Sequence, residues 1–269
     1  MTELANSTVS GPIGLFDSGL GGLTVVHALI DLVPDESLLY FGDTDRFPYG
    51  PKPPAEVRGY ALEIGDLLVE RGARVVVVAC NSAAAAALDD LADRLSVPVI
   101  GVIDPGVRAA LLATRVGRIG VIGTEGTITS GSYARAAAKI DSTVVVVEQA
   151  CPGFVEFVES GDIDSPELRR LAEEYLAPVK AAAVDVLVLG CTHYPLLAST
   201  LSSVMGSEVA VVSSAEATAR AVVERMPCSV AAAIPDRKFI TSGDPSTFRQ
   251  LATRFLGTEI ENVEAFSWS

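Results

Sequence analysis

"VDVLVLGCTHYPLL", residues Val184–Leu197, begins as a mainly apolar run and ends in a thiol, a hydroxyl and an imidazole. A second stretch, "RVVVVACNSAAAA" at Arg74–Ala86, has the same order: an apolar strand, a small residue, a cysteine, polar residues and a helix-forming segment. The two cysteines are 111 positions apart, about the length of one small α/β unit. The repeat therefore predicts two similar α/β lobes, each with a cysteine at the end of a buried strand.

Short β-branched runs alternate with alanine-rich amphipathic segments along most of the chain. Nine runs are predicted to be strands: "IGLF", "LLYF", "RVVVVA", "VPVIGV", "RIGVIG", "STVVVV", "DVLVLG", "EVAVVS" and "KFITSG". Strands that are apolar throughout are buried on both faces, which is typical of mainly parallel sheets covered by helices. The fold class predicted is α/β, with two similar lobes facing a central cleft.

The repeat also predicts where the lobes divide. Residues 8–105 together with 215–269 form the expected first lobe, which carries Cys80, and residues 106–214 form the second, which carries Cys191. The alternative is one large sheet in which both cysteines end strands by coincidence.

Composition excludes several classes of protein. Hydrophobic residues make up 49% of the 269 residues, too many for a disordered chain. No run approaches the roughly 18 apolar residues that span a bilayer, and the beginning, "MTELANSTVSG", lacks the basic start and apolar middle of a signal peptide. A net charge of −14 disfavours a broad nucleic-acid surface. We expect a cytoplasmic protein with no membrane contact and no direct contact with nucleic acid.

The cysteines and lysines narrow the chemistry further. The four cysteines are far apart without any CxxC pair, which favours reduced thiols over disulfides or a zinc site. Cys151 and Cys228 lie beside prolines, outside the repeated strand-end pattern, and are interpreted as structural. The four lysines avoid the predicted strand ends, so a pyridoxal-phosphate Schiff base is not expected. Neither a metal nor an organic cofactor is expected.

Ligands of parallel sheets bind beyond the carboxyl ends of the strands. Five segments follow predicted strands: "DSGLGG", "GDTDRFPYG", "CNS", "GTEGT" and "CTHY". If the lobes face each other, Cys80 and Cys191 flank one cleft, and a thiol at a helix N-terminus has its pKa lowered from about 8.5. Two opposed thiols suit removal of a proton from one face of a carbon and delivery to the other, which is stereoinversion. Taken singly, each cysteine is better explained as a small buried hydrophobe than as a nucleophile, and it is their equivalent positions in two lobes that favour the functional interpretation.

The remaining polar groups indicate an amino acid as the substrate. Asp17 suits a substrate ammonium group, and the free amides of "GTEGT" suit a carboxylate. The alternatives are an Asx turn at Asp17 and a helix cap at Thr127. His193 is predicted either to polarise Cys191, to donate to the ligand, or to serve as a structural hydrogen-bonding group. "GDTDRFPYG" is either a cover for the cleft or a rigid connector.

These segments, in this order and spread over nearly the whole chain, also resemble a known family. "GLFDSGLGGLTV", "GDTDRFPYG", "ACNSA", "GTEGTI" and "LGCTHYPLL" are similar to the motifs of the glutamate racemases, cofactor-independent isomerases that make D-glutamate for peptidoglycan and hence for cell wall biogenesis and cell shape. Several long motifs in order make the resemblance specific.

The resemblance implies roles for matching residues. Cys80 would be the base towards D-glutamate and Cys191 the base towards L-glutamate, with Asp17 assisting Cys80 and His193 assisting Cys191. A supporting glutamate after "CP" is assigned to Glu159, although Glu156, which stands where a proline is frequent, competes for that role. The implied substrate contacts are Asp17, Ser18, Pro48, Tyr49, Gly50, Cys80, Asn81, Ser82, Thr124, Thr127, Cys191, Thr192 and His193. Ser82 replaces the threonine common in the family and keeps its hydroxyl.

The resemblance further implies a homodimer and, because some members inhibit DNA gyrase, a regulatory partner role. Three other hypotheses stay open: a two-cysteine racemase of aspartate or another small acid, a binding protein that kept the fold, and a thiol redox protein with a reversible Cys80–Cys191 disulfide.

Overall fold

The computed structural model describes residues 10–226 and 235–268, so Cys228 lies outside the described residues and its interpretation as structural stays a prediction. The strands are Ile13–Asp17 (β1), Leu38–Gly42 (β2), Val75–Val78 (β3), Val99–Gly101 (β4), Arg118–Gly123 (β5), Val145–Ala150 (β6), Val186–Gly190 (β7), Ala210–Ser213 (β8), Arg237–Thr241 (β9) and Val263–Ala265 (β10).

Helices connect these strands and cover both faces of the sheets. They are Leu23–Leu32 (α1), Pro54–Glu70 (α2), Asn81–Arg94 (α3), Ile103–Ala113 (α4), Glu125–Thr129 (α5), Ser132–Ile140 (α6), Phe154–Ser160 (α7), Pro166–Ala181 (α8), Ala198–Met205 (α9), Ser214–Arg225 (α10) and Pro245–Leu256 (α11). A short 3₁₀ turn, Tyr194–Leu197, follows β7. Within the part of the chain that the structure describes, no helix is both long and apolar enough to cross a membrane.

The strands form two separate sheets. The first has the order β10-β9-β2-β1-β3-β4 and the second the order β6-β5-β7-β8. Every strand pair in the described residues is parallel. The predicted α/β class with parallel sheets is confirmed, and the alternative of one large sheet is wrong.

Burial explains why the central strands lack an alternating pattern. All four residues of β3 and all five of β7 are buried, since helices pack on both faces of each sheet. The nine predicted strands correspond to β1–β9. Strand β10 was not predicted, because three partly exposed residues at a sheet edge carry no buried-strand pattern.

The strands of the first sheet come from residues 13–101 and 237–265, and those of the second from residues 118–213. The predicted boundary at 105/106 falls inside α4, and the boundary at 214/215 falls just after the first residue of α10. The division into residues 8–105 plus 215–269 and 106–214 therefore stays a proposal.

Candidate active site

A cavity lies where the carboxyl ends of strands from both sheets meet. It contains about 640 Å³ of empty space, including its open mouth. Its wall includes the residues directly after β5, β6 and β7, namely Thr124, Cys151 and Cys191, and the second residue after β3, Cys80. The parallel strands therefore bring thiols from both sheets into one cavity. This cavity lies beyond the carboxyl ends of the strands, where open α/β sheets bind their ligands.

Most of the residues predicted from the sequence line this cavity: Ser18, Pro48, Tyr49, Gly50, Cys80, Asn81, Ser82, Thr124, Cys191, Thr192 and His193. Three predicted residues, Asp17, Thr127 and Glu159, lie behind the wall. Each of them hydrogen-bonds to a residue that lines the cavity.

Cys80 is the residue that immediately precedes α3, and it is 5% exposed. Its thiol donates to Ser18 Oγ over 3.7 Å. Burial, together with the negative charge of Asp17, raises the pKa of Cys80 to about 12, although the backbone N–H groups of Ala83 and Ser18 oppose this shift. In the free protein Cys80 is therefore a thiol at neutral pH.

Cys191 lies beside a buried histidine. The ring of His193 is 2% exposed, and its Nε2 is 2.7 Å from Glu159 Oε1. Burial opposes the charged form of His193, but the contacts with Cys191 and Glu159 prevail and raise its pKa from 6.5 to about 10. An imidazolium ion at this position is the electrostatic partner that a thiolate at Cys191 needs.

Asp17 joins the turn after β1 to the turn after β7. Its Oδ2 accepts from Gly19 N over 3.1 Å, and its Oδ1 accepts from Thr192 Oγ1 over 3.3 Å. The close fit of the two turns depends on Gly21, since a Cβ atom there would lie 2.3 Å from Thr192 Oγ1 and 2.5 Å from His193 Nδ1. The glycine-rich segment therefore packs directly on the second cysteine segment.

Polar groups around α3 and α5 form another part of the wall. Thr124 caps α5 by accepting from Thr127 N, so the idea that Thr127 is the cap is wrong. Thr124 Oγ1 also lies 2.9 Å from Ser82 Oγ. Asn81 Nδ2 donates to the Tyr133 hydroxyl over 2.7 Å, whereas Asn81 Oδ1 is buried with no hydrogen-bond partner in the described structure. That carbonyl is an acceptor ready for a ligand N–H.

The structure adds cavity residues that were not among the predicted substrate contacts, among them Phe47, Cys151, Val155 and Tyr194. Cys151 was placed outside the repeated strand-end pattern and interpreted as structural. The placement is wrong, because β6 ends directly before Cys151, three residues beyond the predicted end of that strand, while the structural role stays a prediction. Burial raises the pKa of this thiol well above its ordinary value. Cys80, Cys151 and Cys191 are all free thiols.

The two competing glutamates occupy different places on α7. Glu156 lines the mouth of the cavity, while Glu159 contacts His193 from behind the wall. Within residues 10–226 and 235–268, no cluster of three His, Cys, Asp or Glu side chains is arranged to hold a metal ion.

Known proteins are similar to this chain in sequence and in structure. The chain is 51% identical over 262 residues to a glutamate racemase of Corynebacterium diphtheriae, covering 96% of this chain and 98% of that protein. A crystal structure of a glutamate racemase isoform from Bacillus anthracis superposes with a TM-score of 0.89 at 40% identity, over 96% of this chain and 98% of that one. A glutamate racemase from Francisella tularensis, solved with D-glutamate, gives a TM-score of 0.88 at 31% identity, over 95% and 97%.

The sequence profile of one protein family, described as Asp/Glu/hydantoin racemase, matches residues 21–222. This range includes the cysteines that follow β3 and β7. The chain belongs to the Asp/Glu/hydantoin racemase family, and it is a racemase, which is an isomerase.

Proposed function

We propose that this protein interconverts L- and D-glutamate by a two-base mechanism in which Cys80 and Cys191 exchange the roles of acid and base. The observation that carries the proposal is that Cys80, which follows a strand of the first sheet, and Cys191, which follows a strand of the second, line the same cavity in different electrostatic environments. A single proton shared between two such groups supplies one acid and one base at a time.

In the direction from L- to D-glutamate, the thiolate of Cys191, beside the His193 imidazolium, takes the α-proton. The thiol of Cys80 gives its proton to the opposite face of the carbon. Cys191 is then a thiol, and the new thiolate of Cys80 is stabilised by the N–H groups of Ser18 and Ala83. The reverse reaction starts from this second state, so the number of protons is conserved in both directions.

The substrate groups have matching partners in and behind the wall. Asp17 and the unpaired Asn81 Oδ1 suit an ammonium group, and the hydroxyls of Ser82, Thr124 and Thr192 suit carboxylates. Glutamate is favoured as the substrate because the related proteins reported above are named glutamate racemases, one of them solved with D-glutamate. Aspartate is the competing substrate.

The biological setting rests on the resemblance alone. We propose that the enzyme supplies D-glutamate for peptidoglycan in the cytoplasm, and so contributes to cell wall biogenesis and cell shape. We also propose a homodimer and treat inhibition of DNA gyrase as a further hypothesis.

The test is racemisation of L-glutamate and L-aspartate by the purified protein, followed by chiral chromatography. Cys80→Ser and Cys191→Ser are expected to lose racemisation of glutamate. Cys151→Ser is the matched control, since its thiol lines the same cavity but donates to the backbone oxygen of Gln149 and has no part in the proposed proton transfer. It is expected to keep most of the activity. Faster turnover of aspartate, or equal loss in all three variants, contradicts the proposal.

A further inference from the structure

We infer that Asp43 and Trp268 are positioning residues: the C-terminal tail, residues 263–268, holds the loop of residues 43–50 in place over the cavity. The inference rests on the proposed function, because three residues of this loop, Pro48, Tyr49 and Gly50, are its proposed substrate contacts. Neither Asp43 nor Trp268 lines the cavity itself.

Asp43 is the fixed point at the start of the loop. Its side chain is fully buried and accepts four hydrogen bonds. Oδ2 accepts from Arg46 Nε over 2.6 Å and from the Tyr49 hydroxyl. Oδ1 accepts from Ser242 Oγ over 2.8 Å and from Trp268 Nε1 over 3.0 Å. One buried carboxylate thus joins two loop side chains to the C-terminal part of the chain, and each lost donor leaves its charge less satisfied.

Trp268 makes a second contact with the same loop. Its ring lies 3.6 Å from the guanidinium carbon of Arg46, and the ring of Tyr60 lies 4.0 Å from that carbon. Cation–π contacts of this kind orient an arginine. The tryptophan is itself held by edge contacts with Phe41 and Phe266, whose ring centroids are 5.5 Å and 4.9 Å from its own. The tail therefore fixes the position of Arg46 as well as that of Asp43.

The far end of the loop contacts α5 and the residue before it, which follow strand β5 of the second sheet. Gly50 O accepts from Gly126 N over 3.0 Å, and a Cβ atom at Gly50 would lie 2.8 Å from Thr124 Cβ. The loop thus runs from its attachment at Asp43 to α5, the helix that follows strand β5 of the second sheet. Loosening the attachment at Asp43 displaces the substrate contacts between the two ends without touching either catalytic thiol.

The experiment compares Trp268→Phe, which keeps a ring but removes the N–H donor, with Trp268→Ala, which removes both. Because the loop binds substrate and transition state alike, the KM for glutamate is expected to rise, by about threefold and about tenfold respectively, while kcat changes by less than about twofold. Ser267→Ala is the control, a change at an exposed residue of the same tail that makes no hydrogen bond to the loop in the described structure, and it is expected to leave both constants unchanged.

Each result of this experiment either supports or refutes the positioning role of Trp268. If the KM of Trp268→Ala stays within about twofold of wild type, or only the melting temperature falls, the positioning role is wrong. If Trp268→Ala does not fold, an unchanged KM for glutamate in Trp268→Phe refutes the positioning role instead. If the wild type racemises no glutamate, the proposed function fails instead. The affinity for D-glutamate of wild type and Trp268→Phe, measured by calorimetry, then decides the positioning role separately.

Discussion

Replacing Glu159 by glutamine is expected to lower the pKa of His193. The Glu159 carboxylate, 2.7 Å from His193 Nε2, is one of the groups that raise this pKa from 6.5 to about 10. Glutamine keeps the size of the side chain and removes its charge. The protonated form of His193 then loses one of the three groups that stabilise it and keeps Cys191 and Asp17, so the imidazolium is present beside Cys191 over a narrower range of pH.

The expected size of the change follows from the contact. A hydrogen bond to a charged group contributes about 1.5–3 kcal/mol, and 1.36 kcal/mol corresponds to one pKa unit. Because the Glu159 side chain is 24% exposed, solvent reduces its effect, and we expect a fall of about one unit. The sign also has a consequence for stability. A raised histidine pKa stabilises the fold fully below pH 6.5, and this stabilisation is lost as the pH rises through about 10. The free energy of unfolding of Glu159→Gln is therefore expected to be lower than that of wild type below about pH 10.

Imidazole NMR measures the change directly, because the chain has only two histidines. The other histidine, His27, lies in α1 and is half-exposed, and its imidazole gives a separate reference signal. Glu156→Gln is the matched control: it removes the same charge from the same helix, at the cavity mouth, where no hydrogen bond reaches His193. The reasoning is refuted if the His193 titration is unchanged in Glu159→Gln, or if Glu156→Gln lowers it equally.

Two further variants, Gly21→Ala and Tyr133→Phe, test the packing and the hydrogen bonding of the site, and Gly59→Ala is the control for the first. Gly21→Ala places a methyl group 2.3 Å from Thr192 Oγ1 and is expected to reduce kcat/KM about 100-fold. Gly59→Ala, at a helical position with open space around it, keeps the activity and stabilises the fold by roughly 0.5–1 kcal/mol, as urea unfolding will show; equal activity in both variants contradicts the packing argument. Tyr133→Phe removes the partner of Asn81 Nδ2, so stability is expected to fall by about 1 kcal/mol and the KM for glutamate to rise. Unchanged stability and KM would show that this hydrogen bond does not orient Asn81.

The sequence was sufficient to predict those features that depend on residues close together in the chain. Continuous apolar runs such as those of β3 and β7 predict buried parallel strands, and the cysteine that ends each run predicts a site at the carboxyl edge. Strand β10 has no such pattern, since its three residues lie at an edge where burial does not select for apolar side chains. Cys151 was misplaced because the predicted strand ended with the apolar run at Val147, whereas β6 continues through Glu148 and Gln149 to Ala150.

Contacts between distant segments could not be predicted in this way. Glu156 and Glu159 are three residues apart on one helix, so their spacing alone does not tell which one meets His193. The packing of α7 against the turn that follows β7 brings Glu159 to that histidine. The hydrogen bond between Trp268 and Asp43 joins residues 225 positions apart, and no periodicity or motif records it.

The central claim, that two thiols act on opposite faces of one carbon, is tested most directly by the early reaction in D₂O. L-Glutamate is incubated with the protein, and both enantiomers are separated and analysed by mass spectrometry before much substrate is consumed. The two-base account predicts that D-glutamate carries deuterium at Cα, because Cys80 has exchanged with solvent, while recovered L-glutamate keeps its protium. D-Glutamate that retains protium, or deuterium that enters recovered L-glutamate as fast as it enters the product, would contradict the account.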